Sequence, residues 1–546
     1  MQALLLALLG CDTATPVGRD AAHDSATASQ FVAPRAVPAP SVLPHNPLPS
    51  TPLRCEGDGE IAWTVNGIPW PGLADDGRVP AGVTRAGDRW VCSRGGHASA
   101  PVVVTAPGGN VLIVLLDDIG VDKIALYGDH PNPSPTPHLD QLAAQGLVFD
   151  AAYAYPSCSP TRAALLTGRV PRRTGVGNGI NLNKDTYTLP LAELSLAELA
   201  GLSERHRYSD AFIGKWHLAS RAWPTVARNP LEQGFDRWVG SLTNLDLSLD
   251  RADRGTTYTY WEKVDNGELS WSSTYATIDT TDSALATMAA LPEPWFLYVS
   301  YNASHTPLSP APEHLHGFGP QHRETPDADR FDAVTEAVDR ELGRLLASVD
   351  GTDTTVFVLS DNGTTAKVIR PPWDPTRGKL TLYEGGTRVP MIAWGQLVAE
   401  PGSRTEALVQ VTDLFPTLGD IVGVRWQELA FADGRPRVID GMSLLPYLAD
   451  PSTPSLRQSV ITSRFAPNGG GPYSAYDEIA VRDGAWKYMD TLDGEQLFRF
   501  SPQRFDEGED LLAQGADALP PDALAALSRL RMQARAHVDD SPYDHR

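Results

Sequence analysis

Basic residues are in short supply in this chain. Its 546 residues hold 45 Lys+Arg against 67 Asp+Glu, a formal net charge of −22. So acidic a surface repels polyanions and excludes nonspecific nucleic-acid binding; any anionic substrate must be held by a local basic pocket against the field of the whole molecule. The apolar run at residues 1–10 is too short to span a bilayer as a mature helix. Cysteine is rare, at positions 11, 55, 92 and 158 only. Cys55 and Cys92 read as a pair and Cys158 is left over, the count expected of a disulfide and a functional thiol in an exported chain.

What is present is a large apolar content, 42% of residues, enough for a sizeable core and more than one domain. Residues 12–52 are rich in Ala, Pro, Ser and Thr and read as an extended tether. Residues 53–106 change to short strand-like runs at 60–67 and 88–93. From Asn110 apolar strands alternate with amphipathic helices, the pattern of an α/β core. Strands are expected at 111–116, 211–214, 295–301, 355–360 and 389–394, with helices over 136–146 and 327–349. After about residue 425 weaker strands at 457–463, 478–482 and 485–490 and a helix near 520–537 predict a smaller α+β subdomain. Tyr258, Tyr260, Trp261, Trp271 and Tyr275 mark an aromatic hairpin whose usual use is packing onto the body.

Chemistry-bearing residues gather at strand ends. Asp117 and Asp118 follow one strand, and Asp361 and Asn362 follow another. In α/β sheets such turns meet where sites are built, and three carboxylates with an amide oxygen suit a hard divalent cation. Lys215 and His217 follow the strand at 211–214, a cation beside a near-neutral base; if the chain is still extended there, both point the same way. In the run from Cys158 to Arg169, Ser159 suits a helix cap, Pro160 a first turn and Gly168 an end. Cys158 is then expected just ahead of a helix N-terminus, with Arg162 one turn on, able to hold an oxyanion in its fork.

The Cys-x-Pro-x-Arg pattern of 158–162, continued by Leu-Thr-Gly-Arg (166–169), resembles the signature of the type I sulfatases. Gly214-Lys215-Trp216-His217, the segment 301–308 around His305, and the run from Lys379 through Tyr383-Glu384-Gly385-Gly386 add to the resemblance, which covers about residues 108–512. It implies an alkaline phosphatase-like α/β core with a large central mixed sheet flanked by helices. It also implies one Ca2+ on Asp117, Asp118, Asp361, Asn362 and the residue at 158, with Cys158 oxidised to formylglycine by a formylglycine-generating enzyme. The hydrated aldehyde attacks sulfur, Arg162 stabilises it, Lys215 and Lys379 neutralise sulfate oxygens, His305 protonates the leaving oxygen and His217 takes the last proton. Two positions depart from the pattern: Ser304 stands where proline is frequent, and Leu380 where glycine is. Thr243 or Asn244 is the candidate for one further pocket group after Gly234. The expected substrate is an aryl or carbohydrate sulfate, a small molecule or a glycan. A phosphate or phosphonate ester hydrolase is the alternative, although Asn at 362 favours sulfate, and a noncatalytic sulfated-glycan-binding surface protein is a more distant one.

Two N-terminal features resemble known modules. Leu8-Leu9-Gly10-Cys11 resembles a bacterial lipoprotein signal, which implies export to the cell envelope and a lipid anchor on Cys11 as the only membrane attachment. Cys55, Trp63 and Cys92 resemble the Cys…Trp…Cys arrangement of small immunoglobulin-like modules. The expected organisation is therefore a signal at 1–11, a linker at 12–52, a β module at 53–106, a catalytic domain at 108–425 and a C-terminal subdomain at 426–546.

Overall fold

Six apolar residues in a row, Asn110–Leu116 after its first member, have no polar face to give to water, so the strand they form must lie inside. The computed structural model describes residues 39–44, 47–56, 60–72, 77–94, 97–249, 256–319, 326–500, 506–543 and 545. Cys11 and most of the tether lie outside them. Strand β1 (Asn110–Leu116) is buried throughout and sends Val111, Ile113 and Leu115 into one core and Leu112, Val114 and Leu116 into another. It sits near the middle of a ten-stranded mixed sheet. The others are β2 (Leu147–Tyr153), β3 (Ser209–Lys215), β4 (Arg237–Ser241), β5 (Trp261–Asp265), β6 (Glu268–Ser272), β7 (Trp295–Ser300), β8 (Thr354–Ser360), β9 (Met391–Gly395) and β10 (Ser403–Gln410). Their order is β6-β5-β4-β3-β7-β1-β8-β9-β2-β10.

Five neighbours, β4-β3-β7-β1-β8, run parallel, so their C-terminal ends share one edge. That edge is where an open α/β sheet presents its site. Helices α1 (Pro137–Gln145), α2 (Cys158–Thr167), α3 (Ala276–Ala290), α4 (Asp327–Leu346) and α5 (Leu414–Val422) cover the sheet faces. The aromatic hairpin is β5–β6 at one margin; Tyr258, Trp261 and Tyr275 are buried, as packing onto the body requires, and Tyr260 stacks on Trp271 at 4.8 Å.

Buried aspartates between the elements act as hydrogen-bond anchors. The amides of His138 and Leu139 donate to Asp339, the amide of Asp236 donates to Asp210, and Asp413 takes the amides of Gln410 and Met442 and an ion pair from Arg457.

The described residues within 41–103 form a two-stranded ladder (Ser41–Leu43 with Arg54–Glu56) beside a five-stranded antiparallel sheet. Cys55 and Cys92 are disulfide-bonded across the two, with Trp63 and Trp90 edge-to-face beneath. The first strand begins at Ser41, inside the stretch expected to be tether, because Val42 is needed to close this small core. The module docks on the main body: the Ser50 hydroxyl donates to Asp420 at 2.6 Å and Arg425 pairs with Asp88 at 2.9 Å. Past residue 425, a four-stranded antiparallel sheet (Val460–Ala466, Tyr476–Arg482, Trp486–Thr491, Gly494–Arg499) packs under helix α6 (Pro521–Asp540).

Candidate active site

Each of the five parallel strands delivers a polar turn to the same place. Asp117 and Asp118 follow β1, Asp361 and Asn362 follow β8, Lys215 ends β3 with His217 two residues on, and the turn holding Asn302 and His305 follows β7. Thr243 and Asn244 follow β4. Helix α2 supplies Cys158 and Arg162, and the loop before Glu384 supplies Lys379.

Helix α2 begins two residues earlier than its sequence suggests. Ser157 is the extended residue before it, Cys158 is its first residue, and it ends at Gly168 in the left-handed region (φ 68°). The Cys158 sulfur therefore sits on the first turn, 3.6 Å from Asp117 Oδ1, with Lys215 Nζ at 3.6 Å and Lys379 Nζ at 3.4 Å. Burial and the charges of Asp117 and Asp361 outweigh the two lysines and push the thiol up to about 12. As a plain cysteine, residue 158 is thus a neutral thiol and a weak nucleophile.

Strand β3 stops at Lys215, and His217 takes a left-handed conformation (φ 62°), so the extended geometry expected there is broken. Lys215 and His217 still reach one site, because the break turns the imidazole towards it while Trp216 packs into the core. Gly214 makes the turn possible: a Cβ there would lie 1.8 Å from the Ser300 carbonyl oxygen.

Arg162 departs from its expected role. Its guanidinium is sealed under the pocket and spent on the protein: Nη2 and Nε on Asp361 (2.8 and 3.1 Å), Nη2 on Asp117 (3.3 Å), Nη1 on Ser300 Oγ (2.6 Å) and on the Lys215 carbonyl (2.7 Å). It fixes the carboxylates and leaves no fork for an oxyanion. Ser300 was not legible as a partner, since nothing in its sequence context sets it apart.

The acidic groups are paired rather than free. Lys215 bridges to Asp117, and Lys379 Nζ lies 2.5 Å from Asp118 Oδ1. Burial alone raises the Asp118 carboxyl, but Lys379 and His305 pull it below its usual range. Burial, then Lys215 and Arg162, drives His217 well below an ordinary histidine, and burial with Lys379 lowers His305 as well. His305 Nδ1 faces the Thr306 carbonyl at 2.6 Å, which assigns the proton to Nδ1 in the neutral ring and leaves Nε2 facing Asp118 at 3.9 Å.

Asp117, Asp118, Cys158 and His305 bring one ligand atom each within 4.8 Å of the others. Asp361 and Asn362 adjoin them: Asp361 Oδ1 accepts from the Asp118 amide at 3.3 Å, and Asn362 Nδ2 donates to Asp118 Oδ1 at 2.8 Å. Asn362 Oδ1 is buried without a partner. An orphaned amide oxygen among three carboxylates is the donor set of a hard divalent cation, so the residues fit calcium.

Above these groups lies a cavity of about 190 Å3 reached by Cys158, His217, His305 and Lys379. Asn244, not Thr243, lines it, and Asn244 Oδ1 is buried without a partner. Asn178 and Asn181 line it too; the stretch between them carries no charge and follows no strand end, so only packing reveals it.

The chain matches the Sulfatase family model over residues 109–424. It is 31% identical to N-acetylgalactosamine-6-sulfatase of Rattus norvegicus over 371 residues, 62% of this chain and 65% of that one. It is 30% identical to arylsulfatase A of Homo sapiens over 420 residues, 71% of this chain and 76% of that one. The match thus spans just under two thirds of the length of the N-acetylgalactosamine-6-sulfatases. Among solved structures, Ps i-CgsB in complex with k-i-k-neocarrahexaose shares the fold at TM-score 0.64 and 24% identity, over 80% of this chain and 95% of that one. A structure bound to its substrate D-Glucosamine-2-N, 6-O-disulfate does so at TM-score 0.57 and 20% identity, over 80% and 100%. The order of the strand-end residues, the mixed sheet and the family match agree: this chain belongs to the sulfatase family.

Proposed function

We propose that the chain hydrolyses sulfate esters by S–O cleavage, releasing inorganic sulfate. The observation that carries this reading is the convergence of two lysine ammonium groups within 3.6 Å of the Cys158 sulfur, at the floor of a cavity that His217, His305 and Lys379 line. Residue 158 supplies, once oxidised to formylglycine and hydrated, an oxygen nucleophile, and a calcium ion on Asp117, Asp118, Asp361, Asn362 and residue 158 supplies fixed positive charge.

The chain's own groups do the rest. Lys215 and Lys379 neutralise the sulfate oxygens, the electrostatic stabilisation that dominates such reactions. Arg162 holds Asp117 and Asp361 in register from below. In its charged form His305 gives the Nε2 proton to the leaving oxygen and returns to the neutral ring, whose Nδ1 proton the Thr306 carbonyl holds. His217, kept neutral by burial and its cationic neighbours, accepts a proton from the hydroxyl at position 158 when sulfate departs.

The names of the curated relatives favour an aryl or carbohydrate sulfate. Export, with a lipid anchor on Cys11 and the β module as spacer, is part of the same proposal. In labelled water the label is expected in sulfate and not in the alcohol, and the peptide carrying residue 158 is expected at the mass of the aldehyde. Label in the alcohol overturns the mechanism; an unmodified thiol in protein from its own cells overturns the catalytic reading.

A further inference from the structure

Six residues other than glycine have a left-handed backbone among the described residues: Ser50, Asn66, Asp118, His217, Asn266 and Leu380. Asn66 and Asn266 precede Gly67 and Gly267 in hairpin turns, where such a conformation is ordinary. Ser50 sits in a turn next to Thr51. The other three belong to one pocket. Asp118 presents a carboxylate there and His217 an imidazole, so for these two the strained backbone places a working group.

Leu380 has no such group, and its branched side chain is poorly suited to φ 72°. Packing does not explain it either, since the side chain stays 50% exposed. The backbone is nevertheless pinned: its amide donates to the Pro156 carbonyl at 2.8 Å, and Arg464 donates to its carbonyl oxygen. Its side chain lines the mouth of the cavity beside Lys379, together with Leu247; the other groups at that mouth include the amides of Asn178, Asn181 and Asn244.

We propose that Leu380 is a specificity-determining residue: with Leu247 it forms an apolar grip on the carbon face of the ring that bears the sulfate ester. The proposal rests on the sulfate-ester reading of the same site. It assigns recognition of the anion to the lysines and recognition of the ring to the two leucines, so the two can be separated.

The test is binding measured by titration calorimetry on Cys158→Ala protein, with 4-nitrophenyl sulfate and with inorganic sulfate, in calcium buffer. Leu380→Gly removes the side chain and suits the backbone; Leu380→Asn keeps a similar bulk, tolerates the backbone and is polar. Both variants are expected to bind 4-nitrophenyl sulfate about 5- to 10-fold more weakly, the loss expected for one partly covered apolar contact. Inorganic sulfate, which has no ring, is expected to bind within about twofold of the parent, and the Tm of Leu380→Gly to equal or exceed it. An unchanged 4-nitrophenyl sulfate affinity, or equal weakening of both ligands, overturns the proposal while leaving the sulfate-ester reading in place. Binding of neither anion to the parent protein overturns that reading and this inference with it.

Discussion

The pocket and a second charged cluster, Glu384, Lys487 and Glu507, are built from the same ingredients. Both bury carboxylates and lysine. In the second cluster Lys487 Nζ lies 2.9 Å from Glu384 Oε1 and 2.7 Å from Glu507 Oε1, the Tyr153 hydroxyl donates to Glu384 Oε2 at 2.8 Å, and the Glu384 amide donates to Glu507 at 2.5 Å. Lys487 holds Glu384 below its usual range against burial, while burial raises Glu507. The pocket differs in what is left over: Asn362 Oδ1, His217 Nδ1 and Asn244 Oδ1 are orphaned, and a cavity opens above. Buried charge alone therefore does not mark a site. Unused bonding capacity beside an opening does.

The largest expected effect tests the sealed side. Lys487→Met strands two carboxylates in the interior and is expected to cost about 3–5 kcal/mol of stability, with turnover per folded molecule within about threefold of the parent. Replacing all three residues by Met or Leu is expected to recover most of that loss; thermal unfolding of the parent, the single variant and the triple variant decides it. Lys379→Ala, on the pocket side, is expected to lower kcat/KM for 4-nitrophenyl sulfate by about 100- to 1,000-fold. If Lys487→Met lowers turnover as much as Lys379→Ala does, the distinction between the two clusters falls.

Calcium separates them again. Saturating Ca2+ is expected to raise the Tm of the parent by about 2–5 °C and that of Asp361→Asn by much less. The same increment is expected in Lys487→Met, since that substitution leaves the oxygens of the pocket untouched. Equal increments in parent and Asp361→Asn would remove calcium from the pocket.

Asp210 is a third case, at the end of β3 opposite Lys215. Burial raises its carboxyl to about 7, and it accepts a hydrogen bond from the Asp236 amide at 2.9 Å. A carboxyl raised in the folded state binds more protons folded than unfolded between about pH 4 and 7, so its contribution to stability falls as pH rises through that window. Asp210→Asn is expected to match the parent near pH 4 and to exceed it by about 1–3 kcal/mol at pH 8, read from unfolding at the two pH values. A constant difference at both would show that Asp210 does not titrate as described.

Much of the site was legible because its residues adjoin strands. A run such as Val111–Leu116 announces its strand by composition, and Asp117 and Asp118 then fall at its end without any knowledge of packing. His305 and Asp361 follow in the same way. Arg162 was legible as a site residue but not as a sealed brace, since its partners Asp361 and Ser300 lie 199 and 138 residues away. The Asn178–Asn181 wall was silent because it is shaped from outside: Asn468 Oδ1 takes the amides of Gly177 and Asn178 at 2.9 Å each. The early start of the β module was hidden for a related reason, a strand of three residues lying within a Pro-rich stretch.

That outside brace sets a clock. Cys158 is only 3% exposed in the finished fold, and the parts that enclose it arrive late, Lys379 and then Asn468. At about 5–20 residues per second, a chain under synthesis spends roughly 15–60 seconds between making position 158 and making the segment that closes over it. For that interval the thiol belongs to an unfinished polypeptide, open to any enzyme that would alter it; afterwards the same sulfur is met only through the cavity above it.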